Sequence, residues 1–163
     1  MTAKNQIVGS AAEIDKVPII SLKTLTSDKG TNTHHVFVTD EYGISIVFTE
    51  IKSKLATNPA GLQTLIYLTA QKENPPLFNA ELSSLEKRFS HQLEIHYLSR
   101  HANTLPGKVI IQETLEVVIN SNLCCDMLFH LAGNETFVEP ANERLRFLGI
   151  KQNQISIQKF NNL

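Results

Sequence analysis

The sequence predicts a doubly wound α/β domain: a five-stranded parallel sheet in the order 3-2-1-4-5, with helices on both faces. Two observations carry this prediction. Short continuous apolar runs alternate with longer stretches, most of which place their apolar residues at helical spacing. In addition, the stretch from Val36 to Ile46, V-F-V-T-D-E-Y-G-I-S-I, takes the chain from an apolar run through a tight polar turn into a helix-like pattern. Parallel strands need crossover connections, and right-handed crossovers distribute helices over both faces.

The elements follow in order. Residues 1–33 contain one apolar run, V-P-I-I-S-L, and then the turn-rich T-S-D-K-G-T-N-T. They are read as an N-terminal tail with a short extended segment at Ile19 to Leu25, before a domain at 34–163. His35 to Thr39 is short, β-branched and aromatic, as a buried strand requires. From Gly43, the residues Ile44, Val47, Phe48, Ile51 and Leu55 mark one face of a helix that ends near Asn58-Pro59. Thr64 to Leu68 is the second strand. Leu77, Phe78, Leu82, Leu85 and Phe89 form a second helical stripe, opened by Asn74-Pro75-Pro76.

Leu93 to Leu98 alternates apolar residues with Glu94 and His96, as expected of a strand at the sheet edge. A third helix is predicted over Val109 to Ile119 and a fourth strand over Met127 to Leu131. A fourth helix follows over Phe137 to Leu148, closed by Gly149, and a fifth strand over Ile155 to Phe160.

The 163 residues suffice for one substantial core, and 42% hydrophobic content is ordinary for a globular chain. A net charge of −1, with both signs mixed along the chain, gives no electrostatic footprint for nucleic acid or an anionic membrane. No apolar run reaches the length of a transmembrane helix, and the N-terminus lacks a signal-peptide core, so a cytoplasmic location is expected. Cys124 and Cys125 are adjacent and read as reduced thiols at the start of a strand. The six histidines show no metal-ligand spacing, and Ser45 has neither a sequence-supported base nor a nucleophile elbow around it. Ser45 is read as a capping hydroxyl.

In the predicted strand order, the connections leaving strands 1 and 4 run to opposite sides. A ligand crevice is therefore expected between the turns at 39–45 and 131–135. The first turn resembles the opening βα unit of a nucleotide-binding sheet, with Gly43 suited to close backbone approach and a helix N-terminus offered to phosphate.

The second turn, with the helix after it, reads M-L-F-H-L-A-G-N-E-T-F-V-E-P-A-N-E-R-L-R-F-L-G-I. Together with the first turn it resembles the C-terminal NAD(P)-binding module of the ferredoxin-NADP reductase superfamily. Ala132-Gly133-Asn134 stand at its Cys-Gly-Pro-type turn, Leu148-Gly149 at its helix end, and Gln158-Lys159-Phe160 at its last strand. Gly43, Ile44 and Ser45 match part of its glycine loop, while Asp40, Glu41 and Ile46 depart from it. Further matches in T-L-I-Y, L-F-N-A-E-L, L-S-R and P-G-K-V extend the resemblance over roughly residues 34 to 160.

The chain is most similar in spacing to reductase components of aromatic-ring oxygenase and phenylacetate-degradation systems. The resemblance implies NAD(P)H as cofactor, electron transfer as activity and a flavin-bearing protein as partner. It assigns cofactor contacts to Gly43, Ile44, Ser45, Ser99, Arg100, Gly133 and Asn134, with Arg100 able to hold a 2'-phosphate. Phe160 matches the residue that shields the flavin ring in relatives, and without a flavin domain it is read as a core or interface aromatic. Residues 1–33 are too few for a flavin barrel and no cysteine quartet exists, so neither flavin nor iron-sulfur cluster is expected in this chain.

The departures weigh against activity. Ala132 replaces the family's cysteine beside the nicotinamide, so no catalytic residue carries over, and Ala70 stands where relatives place an arginine. Like charges about 4 Å apart repel by roughly 4 kcal/mol near a protein surface. A helix N-terminus returns only about 0.3–2 kcal/mol. Asp40 and Glu41 are therefore expected to weaken NAD(P)H binding, or one of them caps the helix in the phosphate's place. Three functions remain: a reductase-type NAD(P)-binding domain not active alone, a degenerate domain serving protein interaction or assembly, and a domain that binds a different ligand with a cationic or neutral group in the same crevice.

Overall fold

The computed structural model describes residues 33–70, 75–99, 108–123 and 125–161. Five strands, β1 (Thr33–Asp40), β2 (Leu62–Thr69), β3 (Leu93–Ser99), β4 (Asp126–Asn134) and β5 (Ile155–Phe160), form one sheet in the order β3-β2-β1-β4-β5. Every pairing is parallel, with Val38 opposite Ile66 on one side and Leu131 on the other. The connections contain α1 (Ile44–Thr57), α2 (Asn79–Arg88), α3 (Lys108–Ser121) and α4 (Glu135–Phe147). The fold class and strand order are those the sequence predicts. The tail expected at 1–33 lies outside the described residues except for Thr33, which opens β1.

Alternation along β1 divides the core. Val36 and Val38 face α3 and α4, in a cluster with Ile66, Leu115, Phe129, Phe137 and Leu145. Phe37 faces α1 and α2, with Val47, Ile51, Leu65, Tyr67 and Leu82. Each fully buried aliphatic side chain here contributes about 1.5–3 kcal/mol relative to exposure. Phe160 packs partly buried against the α1 and α2 cluster, where the sequence reading placed it as a core or interface aromatic.

Two element boundaries differ from expectation. Leu77 and Phe78 precede α2 instead of joining it: Asn79 N donates to Pro76 O at 3.1 Å, and Phe78 takes a left-handed φ of 61°. Stacking of the Phe78 ring on Phe48, centroids 4.8 Å apart, favours this sparsely populated conformation. β4 continues to Asn134 and passes directly into α4, so the turn expected at 131–135 is the end of a strand. Gly149, at φ 87°, follows α4 as its left-handed stop. No helix among the described residues is long and apolar enough to cross a membrane.

Candidate functional site

The ends of β1 and β4 lie side by side, with Thr39 opposite Ala132. Connections leave them towards opposite faces, and one carboxylate joins the two strand ends. Asp40 is 4% exposed. Its Oδ1 accepts hydrogen bonds from Tyr42 N at 2.9 Å and Gly43 N at 3.2 Å, and its Oδ2 accepts one from Asn134 N at 3.0 Å. The bond to Tyr42 N is an Asx-turn, a local motif that Asp forms readily. Beneath it, Thr39 Oγ1 donates to Ala132 O at 2.9 Å.

Glu41 turns to the other neighbour. Its Oε1 accepts from Ala70 N at 3.0 Å, where β2 ends. Both acidic residues of the first turn are therefore bonded to backbone N–H groups of the sheet's C-terminal edge. Tyr42 is 57% exposed and lines a shallow cleft with Asp40, Glu41, Leu68 and Ala70.

Of the residues assigned to cofactor contact, Gly43 is buried at the N-cap of α1 and Ile44 is buried in the core. Ser45 is exposed in the first turn of α1, which has no side-chain cap; Asp40 instead accepts from Gly43 N, just before the helix begins. Gly133 is buried with φ 154°, and a Cβ there would fall 2.5 Å from Asp40 Oδ1. Asn134 caps α4 by accepting from Thr136 N at 3.0 Å. Ser99 ends β3, half-buried at the same edge, while Arg100 lies outside the described residues, as does Cys124. Gly43, Ile44, Ser45, Gly133 and Asn134 are thus brought together around Asp40.

A dinucleotide pyrophosphate does not fit the turn as it is built. The N–H groups of Tyr42, Gly43 and Asn134 already serve Asp40, and a phosphate approaching them would meet its negative charge. Only the N–H groups of Ile44 and Ser45, which by helix geometry lack intrahelical acceptors, remain at the α1 terminus.

The sequence reading missed a histidine pair on the α1 face of the sheet. His35 Nδ1 and His130 Nε2 lie 3.0 Å apart, and His130 stacks on Phe37 with centroids 4.7 Å apart. Their separation of 95 positions left no local signal. Burial pushes both imidazoles down to about 4, helped by Lys54 for His35 and by His35 and then Lys54 for His130. Among the described residues no group of three or more His, Cys, Asp or Glu is placed to hold a metal ion.

Because these folded values lie below the ordinary 6.5, the unfolded state binds more protons between those limits. Stability is fully present above pH 6.5 and falls as the pH drops towards 4. Histidine NMR titration is expected to leave both rings uncharged until about pH 4. His130→Phe should flatten the acid decline of the melting temperature; a ring titrating near 6.5 in the folded protein would contradict this account.

No protein-family model and no curated protein matches the chain. Solved structures do. Ferredoxin-NADP+ reductase from Plasmodium falciparum with 2'P-AMP aligns at TM-score 0.61 and 17% identity, over 79% of this chain and 52% of that one. The Amycolatopsis cytochrome P450 reductase GcoB aligns at 0.62 and 10% identity, over 83% and 40%. The flavohem-like FAD/NAD-binding domain of nitric oxide dioxygenase from Vibrio cholerae O1 biovar El Tor aligns at 0.57 and 15% identity, over 78% and 51%. The chain therefore has the fold of the part of these ferredoxin-NADP reductase-like proteins that it aligns with. It spans about half the length of the Plasmodium reductase and less of GcoB.

Proposed function

We propose that this chain is a reductase-type NAD(P)-binding module by architecture whose phosphate position is filled by its own Asp40 carboxylate. In this reading it binds no nucleotide by itself and acts as a protein-interaction or assembly domain. The observation that carries the reading is the set of three hydrogen bonds from Tyr42, Gly43 and Asn134 to Asp40. Ala132, in place of the thiol expected beside a nicotinamide, supports it as well.

A second reading is supported by the fold match and by the N–H groups of Ile44 and Ser45 at the α1 terminus. Here the chain holds NAD(P)H weakly and passes reducing equivalents to a flavin-bearing partner, as an oxidoreductase of the ferredoxin-reductase type. Phenylacetate degradation is one setting in which such a module would work. Ser99, at the end of β3, would then stand on the adenosine side.

Calorimetric titration of the purified chain with NADH and NADPH at low salt, where anion binding is least screened, separates the two. No binding at about 1 mM nucleotide is expected, meaning an affinity weaker than about −4 kcal/mol. Micromolar binding would overturn the first reading and direct the search to a flavoprotein.

A further inference from the structure

At the opposite edge of the sheet, where the strands begin, His34, Gln63, Glu86, Gln92, Glu94 and Asn122 line a cavity of about 460 Å³. That volume lies within the roughly 300–1,000 Å³ of small-molecule sites. Two lining residues are almost wholly buried, His34 at 3% and Gln63 at 2% exposure. Gln63 Oε1 and Gln92 Oε1 are buried without a hydrogen-bond partner. The His34 ring is held by Thr64 Oγ1, 2.8 Å from its Nε2, and by a side-chain hydrogen bond with Asn122. Leaving the two amide oxygens unpaired is unfavourable, so the cavity wall presents hydrogen-bonding groups in search of a partner.

The charge of the wall selects the ligand. Glu86 and Glu94 line the cavity, and among the described residues no lysine or arginine does. Glu86 Oε1 accepts from Ile95 N at 3.0 Å, and Glu94 Oε1 lies 3.2 Å from His96 Nε2, so each carboxylate keeps a second oxygen for a ligand. Burial holds His34 below its ordinary value and therefore neutral at pH 7, which adds no positive charge. Two amide oxygens and two carboxylates offer acceptors, and the charged groups among the described lining residues are both negative.

We propose that this cavity binds a small organic cation rich in N–H donors, an amine or guanidinium compound. Its N–H groups donate to Gln63 Oε1 and Gln92 Oε1, and its charge is balanced by Glu86 and Glu94. The site is separate from the Asp40 edge, so its failure and the failure of the proposed function are read independently.

The test is titration of the full chain with agmatine, followed by amide NMR shifts and calorimetry, with glutamate as the anionic control. Saturable shifts centred on His34, Gln63 and Gln92 are expected with agmatine and none with glutamate. Glu94→Gln, on an exposed side chain that folding does not need, should weaken binding about tenfold. Gln92→Leu should weaken it as well, with circular dichroism checking that the fold is kept. Absence of saturation up to about 10 mM agmatine, equal shifts with glutamate, shifts centred elsewhere, or an unchanged affinity in Glu94→Gln would each overturn the proposal.

Discussion

Asp40→Ala should lower the stability of the domain by about 2–5 kcal/mol, because it strands donors that nothing else in the fold reaches. Tyr42 N and Asn134 N lose their acceptor outright. Gly43 N keeps only a 3.3 Å contact to Asp40 O. With a urea dependence of about 1–3 kcal/mol per molar, the midpoint should fall by at least about 0.7 M. Asp40→Asn keeps an acceptor for the first turn but sets an NH2 group against Asn134 N–H, so it should fall between the natural chain and alanine. A midpoint unchanged in both variants would show that the bridge carries no stability. The same measurement bears on nucleotide binding, since removal of both Asp40 and Glu41 opens the turn only in a protein that still folds.

Gly43→Ala should cost about 3 kcal/mol or more, for want of space and not of backbone freedom. Gly43 has φ −95°, which any residue adopts. A Cβ there would fall 2.3 Å from Ala132 O and 2.6 Å from Thr39 Oγ1. Ala132 O is backbone of β4, and Thr39 Oγ1 is the group that bonds it. Relief therefore requires α1 to move away from the sheet or β1 and β4 to separate, and either opens the core around Phe37 and Ile44. Thermal melting and soluble yield of the variant check this; a melting temperature equal to that of the natural chain would refute the packing described at this turn.

The strands were legible because burial on both faces makes them continuous apolar runs, as in Val36 to Val38 and Leu65 to Leu68. The helical stripe from Ile44 to Leu55 was equally plain, since its buried residues recur at helical spacing. What escaped was what depends on distant partners. The extension of β4 through Gly133 and Asn134 answers to Asp40, 94 positions away. Phe78 reads as one more apolar residue of a stripe, and only its stacking on Phe48 marks it as a left-handed turn residue.

The site was half legible. The expectation that Asp40 or Glu41 caps α1 is not met, since the helix has no side-chain cap and Asp40 binds the N–H groups of Tyr42 and Gly43 just before it. That one carboxylate would hold the end of β4, and the other the end of β2, did not follow from their place before Gly43. Repulsion between charges facing an open crevice does not describe Asp40, which is buried and triply bonded.

A helix end that waits for a phosphate draws stability from its surroundings: by mass action, its unfolding free energy grows with the logarithm of ligand concentration. A helix end that carries its own anion by covalent attachment does not. The Asp40 bridge fixes the effective concentration of that anion once and for all, so the domain should withstand heat equally well in starved and in well-fed conditions. If the proposed reading holds, its stability does not follow the supply of reduced nucleotide.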